Sequence, residues 1–339
     1  MIDVLEDIMT SCADSKTLLL STGSFIPERT VYNHELTQFP KNAIPLIEAK
    51  TGVRSRHYAD DKECTSDLAI HAAQNCLNKI HFDAKNIDAI ILATSSPDRI
   101  QPATATIVQH SIHASNAFAY DINSVCSGAV YGIAMADALI KSEMCKTVLV
   151  VAAEVYSRIL NPADFSTTPY FGDGAGAVLL TRSTEAGRGI IKSILRTDGS
   201  GSDVIEIPGG GTKLPFNKMN EPKDAFFKMD GKKVYSFAIE KGTEVINDIL
   251  QATGVDAKSL RYIIPHQANI NIIRQLSQNV RIDLEKFIVN LDRLGNTAAA
   301  SILIGLDEVM TTGNVKPHDL IALVGFGGGL SWGANLISL

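Results

Sequence analysis

The sequence has no strong excess of charge of either sign. Its 31 Lys and Arg stand against 37 Asp and Glu, a formal net charge of -6, so no global basic field exists to hold phosphate backbones, and nucleic acid is not an expected partner. Long apolar runs are also missing. Stretches such as TVLVVAA and AAASILIGL fall far short of the roughly 18 uncharged residues of a membrane span. The opening MIDVLEDIMTSC is acidic and amphipathic, unlike the basic start and apolar stretch of a secretory signal. No membrane partner is expected, and the expected location is cytoplasmic. Aromatic residues reach only 6%, and Cys12, Cys64, Cys76, Cys126 and Cys145 form an odd set with no CxxC pair. Neither a disulfide framework nor a zinc ribbon is indicated. Reduced thiols are expected, one of them reactive.

What is present is an ordinary globular composition, 45% hydrophobic and 20% charged, which excludes disorder and collagen-like structure. At roughly 150 residues per domain, 339 residues suggest two domains or two similar halves of one. Runs of Ile, Val and Leu alternate with helical patterns, the signature of an α/β protein with buried sheets. DAIILATSS reads as a strand, then a turn at Pro102 and a helix, the strand AFAYDINSV, a helix from Cys126 and the strand TVLVVAAE. The order recurs as RYIIPHQ, a helix, KFIVNLDRL, a helix from about Asn296 and LIALVGFGGG. Similar order and spacing point to internal duplication, with halves at 1–183 and 184–339. The Gly- and Ser-rich stretch from Gly199 to Pro215 reads as a loop that covers a site or links elements; its GGGTK runs into Leu214 and Pro215, so it is no phosphate loop.

Three polar residues stand where chemistry is possible. Cys126 falls where a strand ends and a helix begins, and unpaired N–H groups with the positive end of a helix dipole favour a thiolate there. The other four cysteines read as small buried hydrophobes. His266 follows a strand and Pro265, a place that projects a side chain into a crevice at a sheet's carboxyl end. Asn296 reads as an N-cap, yet the duplication puts it in a place equivalent to that of Cys126. A Cys, a neutral His and an Asn fit two chemistries. In a cysteine hydrolase His takes the thiol proton and Asn orients the His; in carbon–carbon bond formation Cys carries an acyl group while His and Asn donate hydrogen bonds to an enolate oxygen. Periodicity leaves both open.

The strings STGSFIPERTV, TGVRSRH, DINSVCSG, YFGDGAGAVLL, PHQAN, DRLGNTAAAS and GFGGGLSWGA, in this order along nearly the whole chain, resemble the beta-ketoacyl-acyl-carrier-protein synthase III family of the thiolase superfamily. The resemblance implies an α/β fold of thiolase type, five layers in αβαβα order made of two duplicated halves, and a homodimer. It implies that Cys126 is the acylated nucleophile, that His266 and Asn296 stabilise the enolate left when a malonyl thioester loses carbon dioxide, and that the N–H groups of Cys126 and Gly328 form a second oxyanion hole. It further implies substrate contacts from Phe326, Arg158, Asn269, Leu46 and Gln101. Substrates would be thioesters of coenzyme A or an acyl-carrier protein, with malonyl-carrier protein as extender and no metal or prosthetic group. A thiolase proper would need a second cysteine near the C-terminal glycine turn, and the last cysteine is Cys145.

Several positions depart from the family's housekeeping pattern. Leu46 stands where a Trp is usual, Lys50 and Asn271 where Arg is, and Ser236 where Lys is, so Lys232, Lys233 and Arg274 are the remaining basic residues for carrier-protein docking. The nucleophile sits in CSG rather than CAG, and Gln101 replaces an aromatic residue. With the glycines at Gly209–Gly211, these changes make the chain similar to accessory members of secondary-metabolite pathways. The expected activity is decarboxylative Claisen condensation. Acyl transfer to an oxygen or nitrogen acceptor is the first alternative, and a non-catalytic dimer partner or scaffold the second.

Overall fold

The computed structural model describes residues 16–185 and 187–339, so Cys12 and the opening segment lie outside the described residues. The first sheet is built from β1 (Lys16–Phe25), β4 (Ala89–Ala93), β5 (Phe118–Ile122), β6 (Thr147–Glu154) and β7 (Gly174–Ser183), ordered β1-β7-β6-β4-β5. β4 runs parallel to β5 and β6, while β7 runs antiparallel to β6 and β1. The second sheet contains β8 (Gly189–Thr197), β11 (Leu260–Pro265), β12 (Leu320–Gly327) and β13 (Ser331–Ser338), ordered β11-β12-β13-β8. Its pairings repeat the first: β12 is parallel to β11, and β13 is antiparallel to β12 and β8. Two short ladders join β2 (Arg29–Tyr32) to β3 (Ser55–Tyr58) and β9 (Ile205–Glu206) to β10 (Lys228–Met229).

Helices separate and cover the sheets. Between them lie α4 (Gly128–Lys141) and α8 (Ala300–Thr311), whose side chains share one apolar cluster with residues of both sheets. Because α4 and α8 meet a sheet on either side, they are apolar nearly all round, as a buried helix must be. The first sheet's other face is covered by α2 (Thr65–Asn78) and α3 (Thr104–Ser111). The second sheet's other face is covered by α5 (Gly231–Thr253) and α6 (Ile270–Val280). This is the five-layer αβαβα arrangement of a thiolase-like fold. Every residue of β6 is buried, which explains why its sequence reads as a continuous rather than an alternating apolar run. α5 shows the opposite pattern: it buries Ala238, Gly242, Val245, Ile246 and Ile249 on one stripe and starts at Asp230, whose carboxylate accepts from the Lys232 and Lys233 N–H groups. The remaining short helices are α1 (Ile44–Thr51) and α7 (Leu291–Leu294).

Two sequence expectations need correction. KFIVNLDRL is not a strand: Phe287 makes one parallel bridge to Ile263 and the segment then turns into α7. The side chain of Gln267 is the reason, since its Nε2 donates to the Ile288 carbonyl at 3.0 Å and its Oε1 accepts from Asn290 and Leu291 N–H at 3.0 and 3.3 Å. A ladder would need those same backbone groups. The helix expected from about Asn296 begins instead at Ala300. Asn296 is held extended, its N–H donating to Tyr170 O at 2.7 Å and its carbonyl accepting from Gly172 N–H at 3.0 Å.

Candidate active site

The three candidate residues come from three separate elements and meet at one cavity of about 260 Å³ that Cys126, His266 and Asn296 all line. Cys126 lies on a single 3-10 turn, Val125–Ser127, between β5 and α4. Gly327, at the end of β12, packs directly on that turn. A methyl group there would fall 2.7 Å from the Cys126 nitrogen, so only glycine allows the two backbones to approach this closely. Gly328, also buried, follows it.

His266 begins where β11 ends, its N–H donating to Val324 O at 2.8 Å. Its ring is fixed on two sides: Nδ1 lies 2.9 Å from the Ser301 hydroxyl, and the Phe326 ring packs edge-on with centroids 5.4 Å apart. Burial lowers its pKa to about 3, opposed by the Ala298 carbonyl, so the imidazole is neutral. Asn296 is not an N-cap of α8, which is Ala299. Its Oδ1 accepts from Ala298 N–H at 2.9 Å, which commits the oxygen to the backbone and leaves Nδ2 as a donor. Gly295 beside it has φ +69° and approaches the Tyr170 carbonyl too closely for a side chain. A neutral imidazole and an outward amide N–H are the groups that stabilise a developing oxyanion without carrying charge themselves.

The thiolate expected at Cys126 is corrected by its surroundings. Burial pushes the thiol up, the Glu154 carboxylate adds to this, and the residue's own backbone N–H opposes it. The resting nucleophile is therefore a thiol. Glu154, at the buried end of β6, was not among the sequence candidates. It accepts from Ser95 N–H at 3.1 Å, Ser95 Oγ at 2.9 Å and Ser96 Oγ at 2.5 Å. Burial raises its pKa to about 7, against these donors. The Tyr156 hydroxyl shares a hydrogen bond with Ser95 Oγ at 2.9 Å. Its ring stacks on Phe171 and meets Phe227 edge-on, forming an aromatic wall behind Cys126. Arg56 was also missed as an individual residue. Fully buried, it donates to Val31 O, Asn33 Oδ1 and Pro169 O at 3.0, 2.5 and 2.6 Å, and so braces the loop that carries Tyr170 against Asn296. Burial lowers its pKa to about 10, with Tyr58 and Glu35 opposing.

The outer candidates divide. Phe326 and Asn269 line the cavity, as does Lys50; Asn269 also caps α6 and donates from Nδ2 to the Lys50 carbonyl at 3.2 Å. Leu46, Gln101 and Arg158 are exposed and are not among the cavity's lining residues. Arg158 instead donates to Asp60 O at 2.7 Å. Lys232 and Lys233 are exposed on the first turn of α5, beside the cavity-lining Gly231 and Val234, and Arg274 is exposed on α6. The Gly199–Pro215 stretch contributes Ile205 to the cavity wall through β9, as a site-covering loop should. Cys76 and Cys145 are buried as expected, whereas Cys64 is only partly so. Among the described residues, no group of three or more His, Cys, Asp or Glu could hold a metal ion, and no helix is long and apolar enough to cross a membrane.

Duplicated sheets enclosing two buried helices, with a thiol, a neutral imidazole and an amide donor at one cavity, define an enzyme of the thiolase-like class. Residues 120–199 match the 3-oxoacyl-[acyl-carrier-protein (ACP)] synthase III family, and residues 250–339 match the family describing that enzyme's C terminal. The chain is 41% identical over 324 residues to the beta-ketoacyl-[acyl-carrier-protein] synthase III of Ehrlichia canis (strain Jake), covering 96% of this chain and 99% of that one. It is 38% identical over 325 residues to the enzyme of the same name from Clostridioides difficile (strain 630), covering 96% and 98%. Its structure superposes on the crystal structure of 3-oxoacyl-[acyl-carrier-protein] synthase III from Aquifex aeolicus VF5 with a TM-score of 0.88 at 35% identity, over 95% of this chain and 100% of that one. A priming beta-ketosynthase of the R1128 polyketide pathway gives a TM-score of 0.87 at 28% identity, over 96% of each chain. The chain belongs to the beta-ketoacyl-[acyl-carrier-protein] synthase III family. It is a condensing enzyme, an acyltransferase of fatty acid biosynthesis.

Proposed function

We propose that Cys126, His266 and Asn296 carry out the two half-reactions of this condensation. In the first, the Cys126 sulfur attacks an acyl thioester, the new carbon–sulfur bond replaces the old one, and the thiol proton leaves with the released thiol. The Cys126 and Gly328 N–H groups receive the carbonyl oxygen as it becomes tetrahedral. In the second, a malonyl thioester binds with its carbonyl oxygen between His266 and the Nδ2 of Asn296. Loss of carbon dioxide leaves an enolate whose charge these neutral donors stabilise. The enolate carbon attacks the Cys126 thioester, and the expelled sulfur regains a proton. The observation that carries this reading is the Asn296 amide, fixed by Ala298 so that it donates toward the same cavity as Cys126.

The substrates are thioesters of coenzyme A or an acyl-carrier protein with malonyl-carrier protein as extender, and the chemistry requires no metal or prosthetic group. Lys50, Lys232, Lys233 and Arg274 supply the positive rim for the acidic carrier. Leu46, Gln101 and Arg158 are assigned to the outer path of the donor. The identity to synthase III enzymes supports a fatty-acid role over a polyketide one. A division of labour follows the halves 1–183, which loads the acyl group, and 184–339, which activates the extender. A second copy of the chain covers the open edge of β5, where Phe118 and Tyr120 stack at 6.2 Å and Ile100 is 71% exposed. The working compartment is the cytoplasm. Asn296→Ala is expected to load acyl groups normally and to lose condensation by about 10²–10³-fold. Product mass decides, because only condensation adds the two malonyl-derived carbons; unchanged condensation, or a product lacking them, contradicts the reading.

A further inference from the structure

We infer that Ser301 determines which nitrogen of His266 carries the proton, and thereby makes His266 a hydrogen-bond donor toward the reacting carbonyl. The inference rests on the proposed function and adds a positioning residue to it. Ser301 is fully buried in the first turn of α8. Its Oγ lies 2.9 Å from His266 Nδ1, 2.8 Å from the Ala298 carbonyl and 3.4 Å from the Gln267 nitrogen. A hydroxyl offers one proton and two lone pairs. The Gln267 N–H takes one lone pair, so two arrangements remain. If the Ser301 proton points to Ala298 O, Nδ1 must carry the ring proton and Nε2 presents only a lone pair. If it points to Nδ1, the ring proton sits on Nε2.

Only the second arrangement stabilises an enolate, since a bare Nε2 would repel the oxygen it faces. The Ala298 carbonyl competes with it, as an acceptor facing the ring and as a 2.8 Å partner of the Ser301 hydroxyl. The Ala298 carbonyl already accepts the Ser301 backbone N–H at 3.3 Å, so turning the hydroxyl away does not orphan a buried acceptor. The ring is held in this orientation between Ser301 at Nδ1 and the Phe326 ring. The residue that supplies the Nδ1 donor is thus 35 positions from the histidine it acts on.

The test uses the full chain labelled with ¹⁵N-histidine, the His266 signals assigned by comparison with His266→Ala. Nitrogen shifts separate a protonated ring nitrogen from a bare one. The wild type is expected to carry its proton on Nε2. In Ser301→Ala the proton should move to Nδ1, drawn by the Ala298 carbonyl that acts on the ring, and condensation should fall at least about tenfold, toward the 10²–10³-fold loss of an oxyanion donor, with acyl loading within about twofold. Ser301→Thr, which restores the hydroxyl, should recover both. A wild type protonated on Nδ1 overturns the inference whether or not the variants fold, as does a folded Ser301→Ala that condenses within about twofold of wild type. Failure of the proposed function reads differently: Asn296→Ala would then condense normally, while the tautomer measurement would still report on Ser301.

Discussion

Substituting Gly327 with Ala singles out the contact between β12 and the Cys126 nitrogen. The added methyl would lie 2.7 Å from the Cys126 nitrogen, 3.1 Å from the Ser127 nitrogen and 3.2 Å from Cys126 Cβ. All three are backbone or Cβ atoms, so no flexible side chain can yield, and the turn must move away from β12. Overpacking of this kind costs about 1–3 kcal/mol, which a domain stable by about 5–15 kcal/mol survives. The effect on chemistry is larger. The methyl crowds the Cys126 nitrogen, whose N–H the proposed mechanism assigns to the developing oxyanion, and loss of one such donor costs about 10²–10³ in rate, or about 2.7–4 kcal/mol. Gly325→Ala is the control, because its methyl would press on Ser127 Cα at 3.0 Å and Val130 Cγ2 at 3.1 Å instead. Both variants should lose a few degrees of Tm, but only Gly327→Ala should slow acyl loading of Cys126 by two orders of magnitude or more, followed by intact-protein mass spectrometry. Loading by Gly327→Ala within about threefold of Gly325→Ala would refute the assignment of that N–H.

Two further outcomes follow from buried charge. Burial holds the Glu154 carboxyl up at about 7 in the fold against its ordinary 4.5, so the folded state holds a proton between these values that the unfolded chain has released. This group's contribution is fully present below pH 4.5 and lost as pH rises through 7, about 3 kcal/mol in all. Denaturant melts of wild type and Glu154→Gln across pH 4.5–8 should therefore diverge in slope, the variant losing less stability; parallel profiles would contradict a protonated Glu154. Arg56→Ala leaves Val31 O, Asn33 Oδ1 and Pro169 O without their donor and should cost at least about 3 kcal/mol, from roughly 1–3 kcal/mol for each acceptor left unpaired; a loss below about 1 kcal/mol would show that water replaces the guanidinium.

Much of this architecture is legible in the chain because duplication and burial write the same pattern twice. β4, β6 and β12 are buried on both faces and read as apolar runs, as does the Ile263–Pro265 end of β11 that places His266; Cys126 follows β5, whose burial is only partial. The failures share a cause. Gln267 unmakes a strand by capturing Ile288, Asn290 and Leu291, and no local propensity reports what a side chain more than 20 residues away will bond. Asn296 looks like a helix cap because its backbone partners, Tyr170 and Gly172, come from the other half. The thiolate expectation weighed a helix terminus but could not weigh burial or the Glu154 carboxylate, which the sequence separates from Cys126 by an entire helix and strand. Arg56 and Ser301 were invisible for the same reason: each acts on groups 113 and 35 residues distant, respectively.

The central claim, acyl transfer through Cys126 followed by carbon–carbon bond formation, is tested most directly by product mass. Wild type, Cys126→Ala and Asn296→Ala would each be given an acyl thioester and ¹³C-labelled malonyl-carrier protein. The account predicts an acyl adduct on wild type and on Asn296→Ala, none on Cys126→Ala, and a beta-ketoacyl product with two labelled carbons from wild type alone. A labelled product made without Cys126, or an acyl product carrying no malonyl-derived carbon, would contradict it.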